Sequence, residues 1–165
     1  MSRASWWSAK ARQLRLHLRA RVRPEERAAL TAWLRPAEMA LFDSMHIADR
    51  RHGLDVVAHL RRAGVRDRDV LVAGLLHDCA KGETGPGPRV AWSLGEAYGS
   101  WIVDLAARIP GWRAALDRLR DHADASAAML ERAGLSAPAV DLVRHQSAPR
   151  DERYGPRFLA ADEAS

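Results

Sequence analysis

Cysteine and long apolar runs are both scarce in this sequence of 165 residues. Its single cysteine, Cys79, excludes an intramolecular disulfide and suits a reducing cytoplasm. No apolar run approaches the ~18 residues that a membrane-spanning helix requires. The opening residues, MSRASWWSAKARQ, lack the apolar core of a secretory signal. We therefore expect a cytoplasmic protein with no transmembrane segment.

Lysine is also rare, although the chain is basic. Its 26 basic residues include only Lys10 and Lys81 as lysines, and the net charge is +5. This charge favours an anionic ligand. An arginine- and alanine-rich composition often reflects GC-rich coding, however, and no nucleic-acid-binding motif accompanies it. The sequence therefore favours a small anionic ligand over nucleic acid.

Apolar residues recur at steps of three and four along nearly the whole chain, without the period-two alternation of strands. Hydrophobic residues make up 47% of the chain and charged residues 28%, as is ordinary for a globular protein. The length suits one domain with a substantial core. The sequence thus predicts an all-α domain of short to medium helices.

A basic amphipathic helix is predicted near the N-terminus. Its apolar face consists of Trp7, Ala11, Leu14, Leu18 and Val22. Such a helix could lie on a membrane or on a partner, but packing on its own domain is the simpler interpretation. We therefore divide the chain into a basic helical extension, residues 1–38, that packs on the domain, and the domain itself, residues 39–165.

Proline, glycine and acidic residues mark the other predicted helix boundaries. Pro24 and Pro36 should begin two helices, Gly64 should end the next, and Asp67 or Asp69 should cap the following one. The glycine- and proline-rich segment GETGPGP, residues 82–88, must be a loop. The remaining helices are expected at about residues 49–63, 70–80, 89–108, 122–133, 136–146 and 157–163, with a further helical segment between Gly111 and the helix that begins at about residue 122.

Histidine and aspartate fall on inward-facing or boundary positions of these helices. His52, for example, shares a helix face with Val56 and Leu60. The other candidates are His77 and Asp78 in LLHDCAKG, His122, His145 and Asp162. Each separately buried imidazole would need its own hydrogen-bond partner, so four of them with two carboxylates favour a shared metal centre. Such nitrogen and oxygen donors suit Fe, Mn, Zn, Co, Ni or Mg.

These motifs resemble the HD-domain superfamily of metal-dependent phosphohydrolases. Its signature of a histidine, a distant His-Asp pair and a final aspartate is similar to DRRHGLDVVAHL, AGLLHDCAKG and FLAADEAS in this chain. The segments DHADASAAMLERAG and AVDLVRHQ resemble those that carry the extra histidines of two-metal members. The resemblance covers roughly residues 40–165. It implies a compact helical bundle with the metal ions at its centre.

The resemblance also implies a role for each candidate. The first metal ion would be held by His52, His77, Asp78 and Asp162, and the second by Asp78, His122 and His145. Many relatives have two histidines where this chain has His145 and Gln146. If the second of the two positions supplies the ligand, the second metal site of this chain is weakened.

Asp78 and Lys81 are the expected catalytic residues. Lys81 could contact a phosphate oxygen or the leaving group, although a solvated lysine favoured by the helix dipole is the alternative. Three arginines could also bind phosphate: Arg51, Arg89 and Arg150. Cys79 should pack in the core. His17 and His46 are expected at the surface or its boundary, and His59 should at most support a ligand indirectly.

The ligand set and the resemblance predict hydrolysis of a small phosphomonoester or phosphodiester, nucleotide-like in character, by a hydroxide bound to one or two divalent ions. Two other hypotheses stay open. The chain could be a non-catalytic HD module that binds a nucleotide or a partner, or a di-iron HD-type oxygenase that cleaves C–C or C–P bonds. The identity of the ligands alone does not separate the two enzymes.

Overall fold

The computed structural model describes residues 19–165, and within this region every regular element is a helix. The predicted all-α fold is therefore confirmed. None of these helices combines the length and the apolarity needed to cross a membrane. The helices are α1 (Pro24–Leu30), α2 (Pro36–Ser44), α3 (Ile47–Arg62), α4 (Arg68–Leu76), α5 (Pro86–Tyr98), α6 (Trp101–Ala106), α7 (Trp112–Arg132), α8 (Ala137–Arg144) and α9 (Gly155–Ala164).

The predicted amphipathic N-terminal helix falls mainly on residues 1–18, which lie outside the described residues. Its predicted last turn is described, and Val22 is not helical. Arg23 is extended, with φ −74° and ψ 147°, because the ring of Pro24 disfavours helical backbone in the preceding residue. The prediction that the N-terminal helix extends to Val22 is therefore wrong.

The predicted capping signals place most helix ends correctly. Proline begins α1, α2 and α5, where its fixed φ suits the first turn and its missing N–H is not needed. The Asp67 carboxylate caps α4 by accepting hydrogen bonds from the backbone N–H groups of Asp69 and Val70. Gly64, at φ 83°, ends α3 in the left-handed conformation that glycine tolerates best.

Two predicted boundaries around the candidate ligands were wrong. α4 ends at Leu76, so His77 and Asp78 lie in the turn that follows the helix rather than on a helix that continues to Ala80. α7 is continuous over 21 residues, so His122 lies in its middle and does not begin it. No proline or glycine interrupts this sequence, and its apolar spacing persists across the boundary that we expected.

The region between α4 and α7 also differs from the prediction. α5 begins at Pro86, inside the expected loop 82–88, because proline at the first helical position does not prevent a helix. The single helix expected at residues 89–108 is divided into α5 and α6. Gly99 separates them with φ 119°, a conformation that side chains rarely allow.

α4 lies at the centre of the domain and packs against α2, α3, α7 and α8, while α9 packs on α3. Seven consecutive residues of α4, from Val70 to Leu76, are buried. A smaller apolar cluster joins α5, α6 and α7. The turn after α4 therefore opens between α3, α7 and α9, and each of these helices carries one of the candidate ligands.

Gly53 permits a backbone contact between α3 and α4. A Cβ atom at this position would lie 2.2 Å from the carbonyl oxygen of Leu75, a distance that no real Cβ atom can adopt. Glycine is therefore required for the observed separation of the two helices. Because His52 precedes Gly53 and His77 follows Leu75 by two positions, the same contact brings the two histidines together.

We expect Gly53→Ala to lower the free energy of unfolding by about 1–3 kcal/mol, the usual effect of overpacking, despite the higher helix propensity of alanine. Urea unfolding followed by circular dichroism measures the change. The matched control is Gly85→Ala, because no atom lies within 4 Å of the added methyl group. The control should change stability by less than about 0.5 kcal/mol. Equal stability of the two variants would contradict the close contact.

Candidate metal centre

Two histidines and an aspartate from separate parts of the chain meet at one point of the domain. His52 lies on α3, His77 in the turn after α4, and Asp162 on α9. Their ligand atoms all lie within 4.8 Å of one another, so the cluster could hold a metal ion. Asp162 Oδ1 lies 2.8 Å from His52 Nε2 and 3.2 Å from His77 Nε2. The rings of the two histidines meet edge-on, with centroids 5.2 Å apart.

α9 is held against the cluster at two places. Phe158 is fully buried, and its ring lies edge-on to that of His77 with centroids 5.9 Å apart. At the far end of α9, the Ser165 hydroxyl donates to the Ala161 carbonyl and lies 3.2 Å from His59 Nδ1 on α3. These contacts fix the turn of helix that carries Asp162. His59 thus contacts the end of α9, three residues beyond Asp162.

Asp78 is buried beside these residues, with 2% of its side chain exposed. Its Oδ2 atom lies 2.5 Å from Lys81 Nζ and 3.4 Å from His77 Nε2. Its Oδ1 atom lies 3.5 Å from His122 Nε2 and accepts no hydrogen bond from residues 19–165. A buried carboxylate oxygen without a partner is unfavourable, and a cation next to it would remove that penalty. The donor set therefore fits a divalent metal ion.

Backbone carbonyls orient two of the imidazole rings. His77 Nδ1 lies 3.0 Å from the carbonyl oxygen of Gly74, and His122 Nδ1 lies 2.6 Å from that of Leu119. In the neutral ring, a nitrogen that faces a carbonyl carries the hydrogen, which leaves Nε2 with a free lone pair. Both Nε2 atoms face Asp78. Such hydrogen bonds to the far nitrogen are the usual support of metal-binding histidines.

His145 is not brought into contact with the other five predicted ligands. Its Nδ1 atom lies 3.0 Å from the Asp141 carboxylate, one turn earlier on the same helix. The neighbouring Gln146 is buried instead, and its Nε2 atom lies 2.8 Å from His122 Nε2. Successive side chains near a helix end diverge by about 100°, so only one of the two can face the centre. In this chain the residue that faces the centre is Gln146, and His145 contacts Asp141 instead.

The charges of the cluster are strongly coupled. Burial disfavours a charged His77, yet the carboxylates of Asp78 and Asp162 raise its pKa to about 9. Burial alone would raise the pKa values of the two aspartates, but the nearby imidazoles, and Lys81 beside Asp78, hold both well below the usual range. Both carboxylates therefore remain charged, and His77 holds a proton at neutral pH that a bound cation would replace.

The pKa of His122 is shifted in the opposite direction to that of His77. Burial lowers its pKa first, and the positive charge of Lys81 lowers it further, against the attraction of Asp78. A neutral His122 can accept a hydrogen bond at Nε2 from the amide nitrogen of Gln146. The two histidines nearest Asp78 therefore differ in charge at neutral pH.

A cleft of about 1410 Å³ opens over the cluster. Its wall includes five of the predicted functional residues: His52, Asp78, Lys81, His122 and Asp162. Val90, Trp92, Leu94 and Leu119 contribute apolar surface to the same cleft. Its volume exceeds the range of roughly 300–1,000 Å³ that is usual for small-molecule sites. A substrate with an anionic end and a larger apolar part would fit this combination.

Two of the three predicted phosphate-binding arginines are already paired with carboxylates. Arg51 lies in the cleft wall but donates to Glu26 at 2.8 Å and to Asp55 at 2.7 Å. Arg89, also in the wall, donates to both carboxylate oxygens of the buried Asp49. Arg150 is exposed and does not line the cleft. Lys81, with 21% of its side chain exposed, is the predicted phosphate contact that lies closest to Asp78.

Cys79 turns away from the cleft, as expected. It is 5% exposed within the main core, and its sulfur atom lies 4.0 Å from that of Met129. Burial raises the pKa of the Cys79 thiol to about 11, so it stays protonated at neutral pH. A protonated, buried thiol is a packing group and not a metal ligand.

We expect His52→Ala to weaken Mn²⁺ binding by at least about 100-fold, because it removes a ligand atom from the three-residue cluster. His145→Ala should leave the affinity within about twofold, since His145 contacts Asp141 and not the cluster. Isothermal titration calorimetry on protein stripped of metal gives both dissociation constants. A large loss of affinity in His145→Ala would contradict the assignment of Gln146 as the inward-facing residue.

Comparison of the chain with protein-family models, with curated proteins and with solved structures finds no match. The resemblance to the HD-domain superfamily therefore rests on the five sequence segments quoted above. The function of the protein has to be inferred from its own residues.

Proposed function

We propose that this protein is an HD-type metal-dependent phosphohydrolase that cleaves a small phosphomonoester or phosphodiester, nucleotide-like in character. One observation carries the proposal. Imidazole and carboxylate groups from α3, α7, α9 and the turn after α4 meet at a large cleft, around the buried Asp78 Oδ1, which accepts no hydrogen bond from the part of the chain that the structure describes. The same cleft contains the ammonium group of Lys81.

The metal ion would be held by His52, His77, Asp78 and Asp162. When bound, a divalent cation activates water as a nucleophile and neutralises negative charge on the phosphoryl group. The set of two imidazoles and two carboxylates is compatible with Mn, Fe, Co, Ni, Zn or Mg. His77 and Asp78, each 2% exposed, are shielded from bulk water, which strengthens their interaction with a cation.

Lys81 supplies the second positive charge of the site. Its ammonium group has three N–H donors, and one of them is directed at Asp78 Oδ2. The other donors can bind phosphoryl oxygens of a substrate in the cleft. A fixed donor of this kind stabilises charge that develops during phosphoryl transfer. Asp78 has two tasks in this arrangement: it binds the cation, and it holds the ammonium group beside it.

The apolar part of the cleft supports a nucleotide-like substrate. Trp92 lines the wall, and its indole N–H donates to Glu96. Val90, Leu94 and Leu119 extend the apolar surface. A nucleoside attached to the scissile phosphate combines an anionic end with a flat ring that can pack against such side chains.

The contact between Gln146 and His122 favours hydrolysis over oxygenation. A di-iron oxygenase needs two ions, and the second would require a further ligand where Gln146 now meets His122. An amide is a weaker ligand than an imidazole for these metals. A hydrolase can work with one ion and Lys81. A binding module that does not use metal would gain nothing from the unpartnered oxygen of Asp78.

We expect protein stripped of metal and reloaded with Mn²⁺, Co²⁺, Ni²⁺, Fe²⁺, Zn²⁺ or Mg²⁺ to hydrolyse members of a phosphoester panel. The panel contains p-nitrophenyl phosphate, bis(p-nitrophenyl) phosphate and nucleoside mono-, di- and triphosphates, with release of p-nitrophenol or phosphate as the readout. Asp78→Asn should lower kcat by at least about 100-fold, because it removes a charged ligand. Asp124→Asn, an exposed carboxylate on α7, is the control. The proposal fails if no metal supports turnover of any substrate.

The number of ions provides a separate prediction. We expect wild-type protein to bind about one ion per chain, and Gln146→His to bind about two, because the new imidazole would join His122 and Asp78. Elemental analysis after gel filtration in excess Mn²⁺ measures the ratio. Two tightly bound ions in the wild type would contradict the proposed one-metal site.

A further inference from the structure

An aspartate and an arginine form a buried pair in the wall of the cleft. Asp49 lies in the first turn of α3 and is 4% exposed. Arg89 lies in the first turn of α5, and its two terminal nitrogens donate to the two carboxylate oxygens at 2.8 Å and 2.6 Å. This bidentate geometry fixes both side chains. Asp49 is one turn before His52, so the pair joins α5 to the face of α3 that carries a predicted ligand.

The pair continues into the loop that follows Lys81. The third donor of Arg89, Nε–H, is directed at the carbonyl oxygen of Thr84 at 3.0 Å. Thr84 is 1% exposed, and its hydroxyl donates to the carbonyl oxygen of Lys81 at 2.7 Å. The backbone N–H of Thr84 donates to Gly82 at 2.8 Å. Asp49 is therefore connected to Lys81 through two intermediate residues.

Lys81 depends on these contacts because α4 has already ended. Its own backbone N–H donates to the Asp78 carbonyl, and its ammonium group contacts the Asp78 carboxylate. A second attachment of the turn is the hydrogen bond from Ala80 N–H to the buried hydroxyl of Ser126 on α7. Neither attachment involves the carbonyl group of Lys81. That carbonyl accepts its hydrogen bond from the Thr84 hydroxyl, and the Thr84 carbonyl in turn accepts one from Arg89.

We propose that Asp49, Arg89 and Thr84 are positioning residues that hold Lys81 at the metal centre. The inference rests on the proposed function, in which Lys81 binds phosphoryl oxygens. A buried ion pair contributes little net stability compared with an apolar pair of the same volume. Its directional hydrogen bonds, in contrast, determine where the Lys81 loop lies relative to His52. A displacement of about 1 Å in such a group can reduce catalysis by about 100-fold.

Proteolysis tests the positioning without any ligand. Because Lys10 and Lys81 are the only lysines in the chain, a lysine-specific protease reports directly on the backbone at Lys81. Asp49→Asn and Thr84→Val should increase the rate of cleavage after Lys81 by about tenfold. Urea unfolding followed by circular dichroism measures global stability in parallel. Cleavage after Lys81 at the wild-type rate, or faster cleavage that is explained by an equal loss of global stability, would overturn the inference.

Arg89→Lys separates the ion pair from the connection to Thr84. Lysine can still neutralise Asp49, but it cannot also direct a planar guanidinium donor at the Thr84 carbonyl. We expect this variant to fold and to be cleaved after Lys81 as fast as Thr84→Val, with the fragments assigned by mass so that cleavage at the new lysine at position 89 is not counted. Asp55→Asn is the matched control, since Asp55 is a carboxylate on the same helix that pairs with Arg51 instead of Arg89. Wild-type cleavage in Arg89→Lys would contradict the proposal.

A double-mutant cycle tests whether Asp49 acts through Lys81. With Mn²⁺-loaded protein, Asp49→Asn and Lys81→Ala should each weaken binding of inorganic phosphate and lower kcat by about tenfold or more, and the double variant should be no worse than Lys81→Ala. If the fold-losses of the two single variants multiply in the double variant, Asp49 acts independently of Lys81, and the positioning role would be overturned. Failure of the wild type to turn over any phosphoester would refute the proposed function instead, and the proteolysis would still report on the connection.

Discussion

Asp78 is a charged side chain in the interior of the domain, and the surrounding residues compensate for its burial. An isolated buried carboxylate would be strongly unfavourable. Lys81 and His77 face one oxygen, and His122 faces the other without a hydrogen bond. The cost of burying the Asp78 carboxylate is therefore offset by nearby positive charge, and only in part, because Oδ1 accepts no hydrogen bond from residues 19–165. A cation beside the carboxylate would remove this shortfall, and the proposed metal site depends on that.

The geometry around Asp78 depends on close helix packing. α3 and α4 touch through their backbones at Gly53, and the buried ring of Phe158 places α9 against His77. These contacts belong to the main apolar core, so the same packing stabilises the domain and sets the separation of the ligand atoms. The opposite wall of the cleft is attached differently. It is joined to α3 through the ion pair between Asp49 and Arg89, which uses directional hydrogen bonds instead of apolar contact.

Most of the positive charge in the cleft wall near α3 and α5 is already paired with carboxylates, which leaves few groups that could bind an anionic substrate. Arg51 and Arg89 look suitable for phosphate in the sequence, yet both guanidinium groups are directed at aspartate or glutamate. Lys81 shares its charge with Asp78 but keeps donors for another partner. On the other side of Asp78, Gln146 lies beside His122, at a position where the resemblance to two-metal HD proteins allows a histidine. The proposed site therefore has one metal ion and one ammonium group.

The sequence by itself determined the helical class, most helix starts and the identity of five side chains that meet, because periodicity and capping are local properties. It did not determine which of His145 and Gln146 faces the centre, since that depends on how α8 ends against α7. Nor did it reveal the burial of Asp49, because a polar residue in the first turn of a helix is normally a solvated one. Its partner, Arg89, is forty positions away. Only the tertiary structure decided that they pair, because burial and charge pairing depend on residues distant in the chain.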